Sequence, residues 1–528
     1  MIPEIKNQGS KHKIFYAIFG ILTLVVMFYY LSNTIIHFTT DRQFPISSLH
    51  RFPLTWVIFP AEIFSFLFAL YFVYVLISKD YKPIPKAALH NKGNVDIAIL
   101  LPVYNEPKEI VERTLVACEK LKWPGAIKVY MLDDSDNSAD KNNMDKLASK
   151  YHARVIRRKD RIGYKAGNIN NAIKNYVREP YFAILDADQA PEPEFLERTM
   201  DFFSDLDVAF VQTPQHFVDA ETPIERAAKT GTNIFYRAQC MSKAKDGAIP
   251  FCGTNALFRT KAFNEVNGFR YYTATEDIDL GIRINEKGYK GIYVPIILVK
   301  GYAPKDFKAY SSQQYRWANG NLAILREYWL KIIGGNFPFK YQFHMFFTIA
   351  WWLIGFTTLL YILVPIAAIT LGWGTHHAWL PDVFIFFIFF HVLLGITMIY
   401  ASLSNRVAGE KVKWKDAFLQ YSLIVNSMFI YTRAAFNSIL FKRYIGFIRT
   451  NKVASASSMK LIALNLILGS LCLGLSLYSL YNAMIASTFI QVRTYLPVSI
   501  WLLFYSFVLF SSIIFVGKGR ENEDRLRV

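Results

Sequence analysis

The 528 residues could hold about three soluble domains by length alone. With 53% of them hydrophobic, 16% aromatic and a positive mean hydropathy, the chain instead reads as a membrane protein with one sizeable soluble part. The net charge of +18 gathers beside apolar runs and forms no separate basic stripe, which argues for loop charge facing anionic lipid and against nucleic-acid binding.

After a polar, basic start (Lys11, Lys13), Ile14 to Ile36 is long enough to span a bilayer. It lacks a small-residue cleavage site, so it reads as a span rather than a removable leader. Leu54 to Ile77 is a second span, interrupted only by Glu62, with Lys79, Lys82 and Lys86 behind it. Residues 1–90 are therefore expected to form an N-terminal membrane region, and 91–337 one large α/β domain. Residues 338–528 bring four more spans: Phe346 to Leu371, Val383 to Leu403, Leu461 to Tyr481 and Leu496 to Phe515.

The segment 417–441 is apolar enough to suggest a seventh span. It carries Ser422, Asn426, Arg433 and Asn437 near one helical face, however, and so predicts an amphipathic helix in the interface. Topology agrees. With about six spans every basic cluster (Lys11 to Lys13, Lys79 to Lys86, Arg406 to Lys415, Lys442 to Lys452, Lys518 to Arg527) falls on one side. The positive-inside rule then places both termini and the soluble domain in the cytoplasm, in a multi-pass protein of the cell membrane. Cys118, Cys240, Cys252 and Cys472 have neither metal-ligand nor framework spacing and are expected to be reduced.

Within the soluble part, Asp96 to Leu101, Ile127 to Leu132, Ala153 to Arg157, Tyr181 to Leu185 and Val208 to Gln212 read as short buried strands. Helical stretches such as Pro107 to Leu121, Lys165 to Val177 and Glu192 to Phe203 lie between them. The alternation predicts a mainly parallel sheet covered by helices, with ligands at the carboxyl ends of the strands.

Polar clusters sit where those strands end. The first strand runs into Tyr104-Asn105-Glu106, a ring and a carboxylate suited to a base and its ribose, and the second into Asp133-Asp134-Ser135. Strand alternation lets only one of Asp133 and Asp134 face a ligand directly. The fourth strand is expected to deliver Asp186 and Asp188 on one face, an oxygen pair suited to Mg²⁺ or Mn²⁺, with an acidic surface turn as the plain alternative. Thr275-Glu276-Asp277 opens a helix, where a capping carboxylate is the plain alternative to a chemical one. Gln313, Arg316 and Trp317 then fall within one and a half turns.

Taken together and in this order, the last four of these clusters (Asp133-Asp134, Asp186/Asp188, Thr275-Glu276-Asp277 and Gln313 with Arg316-Trp317) resemble the motifs of the processive, membrane-embedded family-2 glycosyltransferases, and the chain is similar to cellulose synthase catalytic subunits. Lys165-Ala166-Gly167-Asn168, Gln212-Thr213-Pro214 with His216-Phe217, and Phe251-Cys252-Gly253-Thr254 add to the likeness. The resemblance implies a Rossmann-like mixed-sheet GT-A domain inserted in an all-α transmembrane region. It implies that Tyr104, Glu106, Asp133, Asp134 and Lys165 hold a nucleotide sugar, and that Asp186 and Asp188 hold the metal. Asp277 is then the general base, while Gln313, Arg316 and Trp317 shape the acceptor and diphosphate end. Phe447, Thr450 and Lys452 match a gating loop over 447–458, whose plain alternative is a basic juxtamembrane loop.

The implied activity is inverting, processive polymerisation of a β-linked, cellulose-like glucan with export across the bilayer. UDP-glucose is the favoured donor, and mannan, chitin or hyaluronan types stay open. The implied partners are the donor, the growing polysaccharide and lipid; an accessory export subunit is unknown, and no cyclic-dinucleotide-binding module is expected. A non-processive transferase making glycolipid is the second enzymatic reading, and a transport protein or inactive scaffold the non-enzymatic one. Most aromatics of the spans, such as Trp351-Trp352 and Phe384 to Phe390, are expected to face lipid or its interface.

Overall fold

The computed structural model describes residues 10–40, 55–88, 95–371, 381–405, 410, 412–443 and 459–516. The proposed gating loop, with Phe447, Thr450 and Lys452, lies outside the described residues, as do the terminal segments on which the topology argument partly rests.

The mixed-sheet domain is built on the apolar run Ile97–Val103 (β1), which is buried along almost its whole length. It is followed by β2 (Ile127–Asp133), β3 (Arg154–Ile156), β4 (Tyr181–Ile184), β5 (Ala190–Pro191), β6 (Val208–Gln212), β7 (His216–Val218), β8 (Ala256–Arg259), β9 (Lys290–Tyr293) and β10 (Val299–Tyr302). Seven strands form one sheet in the order β3-β2-β1-β4-β8-β6-β9, and three form a small sheet in the order β5-β10-β7. The pairs β1/β2, β2/β3, β1/β4 and β6/β9 are parallel, whereas β8 runs antiparallel to both β4 and β6.

Alternation along β1 divides the interior into two cores. Ile97, Ile99 and Leu101 pack with Met131, Tyr181 and Ala183 on one face, and Ala98 and Leu100 pack with Leu132, Phe182 and Ile184 on the other. A strand buried on both faces reads as a continuous apolar run, and that is how these strands were legible. Because β2 and β4 flank β1 on opposite sides, strand order reverses there. The carboxyl ends of the three strands open a crevice at a switch point.

Among the described residues, five helical segments are long and apolar enough to cross a membrane: Lys11–Asn33, Val57–Ser78, Phe339–Leu371, Ala463–Met484 and Tyr495–Phe515. The sixth expected span falls on the helix Pro381–Ser404, whose apolar stretch among the described side chains is Ile388–Ser404.

The expected interfacial helix is two helices, Trp414–Asn426 and Met428–Ala435, broken at Ser427. Its polar residues do not form one solvent-facing stripe. Ser422 and Asn426 are buried, and Asn426 Nδ2 donates to the carbonyl of Val508 at 2.9 Å and is joined from Asn465 Nδ2, which donates to Asn426 Oδ1 at 3.0 Å. Beyond the break, Asn437 Nδ2 donates to Tyr315 Oη at 2.5 Å. The break turns the two halves of the face to different partners, so helical periodicity carried across it fails. Trp414–Asn426 also packs on the helix Pro223–Ile234 of the mixed-sheet domain, fastened by Arg226 Nε to Asp416 Oδ1 at 2.8 Å.

Candidate active site

The turns after β1 and β2 are tied together at the crevice. Asn105, in the left-handed region at φ 49°, donates its N–H to Ser135 Oγ at 3.0 Å, and its Oδ1 accepts from the Asp136 N–H at 3.0 Å. Tyr104 Oη donates to Asp136 Oδ2 at 2.5 Å. The Asp133/Asp134 pair divides as alternation requires. Asp134 lines the cleft, while Asp133 is turned away from it, accepting from Arg157 Nε at 2.8 Å and the Ser135 N–H at 3.0 Å. Of the pair, Asp134 is therefore the one that lines the cleft, and Asp133 ties the turn beneath it. Arg158 clasps Asp134 through two nitrogens at 2.9 and 2.6 Å and donates to the carbonyls of Ile162 and Tyr164 at 2.6 and 2.7 Å. This two-pronged pairing fixes the 158–164 loop against the second strand's end.

Asp186 and Asp188 both line the cleft, although not by strand alternation. β4 ends at Ile184, and the two carboxylates sit on a turn closed by the Gln189 N–H to the Asp186 carbonyl at 2.9 Å. Thr254 Oγ1 accepts the Asp186 N–H at 2.9 Å, so the Phe251-to-Thr254 motif holds this turn in place. Lys165 Nζ bridges Asp186 Oδ1 at 2.5 Å and the Gly253 carbonyl at 2.9 Å. The donor set is two carboxylates, and among the described residues no group of three or more His, Cys, Asp or Glu gathers. That set fits a hard divalent ion whose other ligands are substrate phosphate and water.

Thr275-Glu276-Asp277 opens the helix Glu276–Glu286. The two oxygens of Asp277 face different surroundings. Oδ1 accepts the Ile278 N–H at 2.9 Å, and Oδ2 faces Gly253, where a Cβ would lie 3.0 Å away. Gly253 itself sits at φ 84°, so both backbone and space call for glycine there. Enclosure by protein pushes the Asp277 carboxyl up to about 7, with the neighbouring Glu276 charge adding to the rise. Burial raises Glu276 as well, and it lowers the Arg316 guanidinium.

Arg316 stands on the helix Phe307–Gly334, capped by Asp306 Oδ1 accepting from the Ala309 N–H at 2.7 Å. Thr273 Oγ1 donates to the Gly320 carbonyl at 3.0 Å, drawing this helix against the Asp277 loop. Gln313, Arg316 and Trp317, at i, i+3 and i+4, consequently share the cleft wall. Tyr104, Glu106, Asp134, Lys165, Asp186, Asp188, Asp277, Gln313, Arg316 and Trp317 thus line one cleft of about 170 Å³. Sequence reasoning missed Arg158 and Arg161; the basic run directly after the third strand was the available signal.

A second cavity of about 280 Å³ shares Cys252, Asp277, Gln313 and Trp317 with the cleft and continues between membrane-region helices. Its far walls are Phe68, Tyr71 and Phe72 of the helix Thr55–Ser78, with Phe347, Trp351, Trp352 and Met398. Trp351 and Trp352 therefore face an internal cavity, against the expectation of lipid contact for most such aromatics.

Comparison with known proteins gives the following. The profile of the family described as Glycosyl transferase family group 2 matches residues 181–400. Over 272 residues the chain is 33% identical to cellulose synthase 1 catalytic subunit [UDP-forming] of Komagataeibacter xylinus, a stretch covering 49% of this chain and 36% of that protein. Over 259 residues it is 33% identical to probable glucomannan 4-beta-mannosyltransferase 9 of Oryza sativa subsp. japonica, covering 47% and 49%. The chain thus spans half or less of the length of these two relatives. A mannosyltransferase from Pyrobaculum calidifontis, solved with GDP-Man and Mn²⁺, superposes with a TM-score of 0.52 at 18% identity, over 74% of this chain and 98% of that one. That likeness concerns the fold. The chain carries a family-2 glycosyltransferase domain of GT-A-like fold, homologous to bacterial cellulose synthase catalytic subunits and plant glucomannan mannosyltransferases.

Proposed function

We propose that this protein is a membrane-embedded, inverting, processive glycosyltransferase. It builds a β-linked polysaccharide, a β-1,4-glucan by preference, from a nucleotide sugar on the cytoplasmic side and passes the product outward. The observation that carries this reading is the aromatic second cavity, which begins at Asp277 and Trp317 and continues between the membrane helices. A chain of sugars leaving the acceptor site would run along these aromatic faces.

Tyr104, Glu106 and Asp134 hold the nucleoside, and Lys165 the diphosphate. Asp186 and Asp188 hold the divalent ion, Mg²⁺ or Mn²⁺, which when bound neutralises charge on the diphosphate as it leaves. Arg316 adds a fixed positive charge at that end, already desolvated and so effective at short range. Asp277 Oδ2 takes the proton of the acceptor hydroxyl. A carboxyl poised near neutrality accepts a proton far better than an ordinary one and remains ionised enough to act. Displacement from the face opposite an α-linked leaving group yields the β-linkage. Trp317 presents a flat ring to the acceptor sugar at the junction of cleft and cavity.

A mannan-type product is the second reading, favoured by equal identity to a glucan-forming and a glucomannan-forming relative. The test supplies protein purified in lipid with labelled UDP- and GDP-sugars and Mg²⁺ or Mn²⁺, then sizes and digests the product. Long β-linked polymer is expected. Label confined to glycolipid refutes processivity, and polymer from GDP-mannose alone replaces glucan by mannan.

A further inference from the structure

The nucleoside end of the cleft contains a guanidinium with no role in the account above. Arg161 Cζ lies 3.6 Å over the ring centre of Tyr104 and 5.8 Å from that of Tyr164, and all three residues line the cleft. The first distance is that of two stacked planes. Arg161 is lightly held. Its Nη1 reaches Asp136 Oδ1 only at 3.6 Å, and its Nε is buried without a hydrogen-bond partner among the described residues.

The loop beneath it is firmly held. Arg158 pins the carbonyls of Ile162 and Tyr164, and the Tyr164 N–H closes a turn on the Arg161 carbonyl at 2.9 Å. Gly163, at φ 71°, lies so close to the Tyr271 ring that a Cβ would come within 2.6 Å of it. Tyr271 is held in turn by Asn170 Nδ2 at 2.8 Å. A rigid loop therefore presents a movable planar cation against an aromatic ring fixed by Asp136.

We propose that Arg161 is a nucleobase clamp: the donor's base enters between the Tyr104 ring and the Arg161 guanidinium, which parts from the ring by the thickness of one base. The guanidinium's N–H donors lie in its own plane, so its contact with the base is stacking, and the Nε–H stays directed along that plane. This rests on the reading of the cleft as a nucleotide-sugar site.

The test titrates the full chain in lipid, with Mn²⁺, against UDP, GDP and inorganic pyrophosphate, for wild type, Arg161→Ala and Arg161→Lys. Arg161→Ala is expected to weaken the better-bound nucleotide about ten-fold, a typical loss for one stacking partner, and to leave pyrophosphate unchanged. Lysine, which keeps charge but not planarity, should restore little of the loss. In turnover the donor KM rises while kcat stays within about two-fold, as for lost uniform binding. Unchanged nucleotide affinity in Arg161→Ala overturns the clamp. Tighter affinity overturns it too, since the guanidinium would then merely occupy the base's place. An equal loss for pyrophosphate assigns it to charge or loop structure instead. A wild type that binds neither nucleotide removes the donor reading itself, and the clamp with it.

Discussion

Replacing Asp277 by Asn separates chemistry from folding. Asp277 is lifted to about 7 by its enclosure and by Glu276. With that value only about a tenth of the protein carries the ionised base at pH 6, and about nine-tenths at pH 8. The donor kcat/KM should therefore fall about ten-fold per pH unit below neutrality and level off above it. The stability dependence has the opposite sense. A carboxyl whose folded value is raised favours the folded state while neutral; that contribution is complete below about 4 and lost as pH rises to about 7. From the gap between the ordinary value of 3.8 and about 7, the loss is at most about 4 kcal/mol, and less where water reaches the open cleft.

Asp277→Asn removes this ionisation. Its turnover should drop by about 100-fold to 10,000-fold, the range for a lost general base. Its thermal midpoint should match or exceed wild type at pH 8, with the gap closing towards pH 4. Sugar incorporation and thermal unfolding are measured across pH 5–9 on both proteins in the same lipid. Activity within ten-fold of wild type would show that Asp277 is not the base. A thermal midpoint below wild type at pH 8 would show that its carboxylate is structural.

Asp186→Asn and Asp188→Asn should each abolish Mn²⁺-dependent retention of the donor while leaving the folded domain intact; equilibrium binding with and without chelator measures this, and retained metal-dependent binding in both contradicts the assignment. Gly253→Ala forces a side chain into the left-handed region and against Asp277 Oδ2, so activity should fall at least about ten-fold for about 1–2 kcal/mol of strain. Assay and thermal unfolding of the same preparation check that balance. Trp352→Ala, in the second cavity and away from the donor, should shorten the polymer on sizing gels with the donor KM unchanged; unaltered length would exclude that wall from handling product.

Much of the molecule was legible because burial on both faces leaves its trace in composition. β1, β2, β4 and β6 are near-continuous apolar runs, and each expected strand lies within two residues of an observed one. The apolar helices were equally plain, since a bilayer demands length and hydropathy that few soluble helices have. The motif order shared with family-2 glycosyltransferases likewise named most of the acidic and aromatic residues that line the cleft, several of them near the carboxyl ends of parallel strands.

Other features depend on distances between residues far apart in the chain, which no local pattern encodes. Only the folded structure turned Asp133 towards Arg157 and Asp134 towards the cleft, and placed Asp186 and Asp188 on a turn rather than a strand. Only packing broke the 414–435 segment at Ser427 and sent Asn426 to Val508 instead of to water. The value of about 7 at Asp277 belongs to this class as well, since it arises from enclosure and from charges brought near by several elements. A run of residues determines which chemistry is available; desolvation and orientation, which set how that chemistry is used, exist only once distant segments meet.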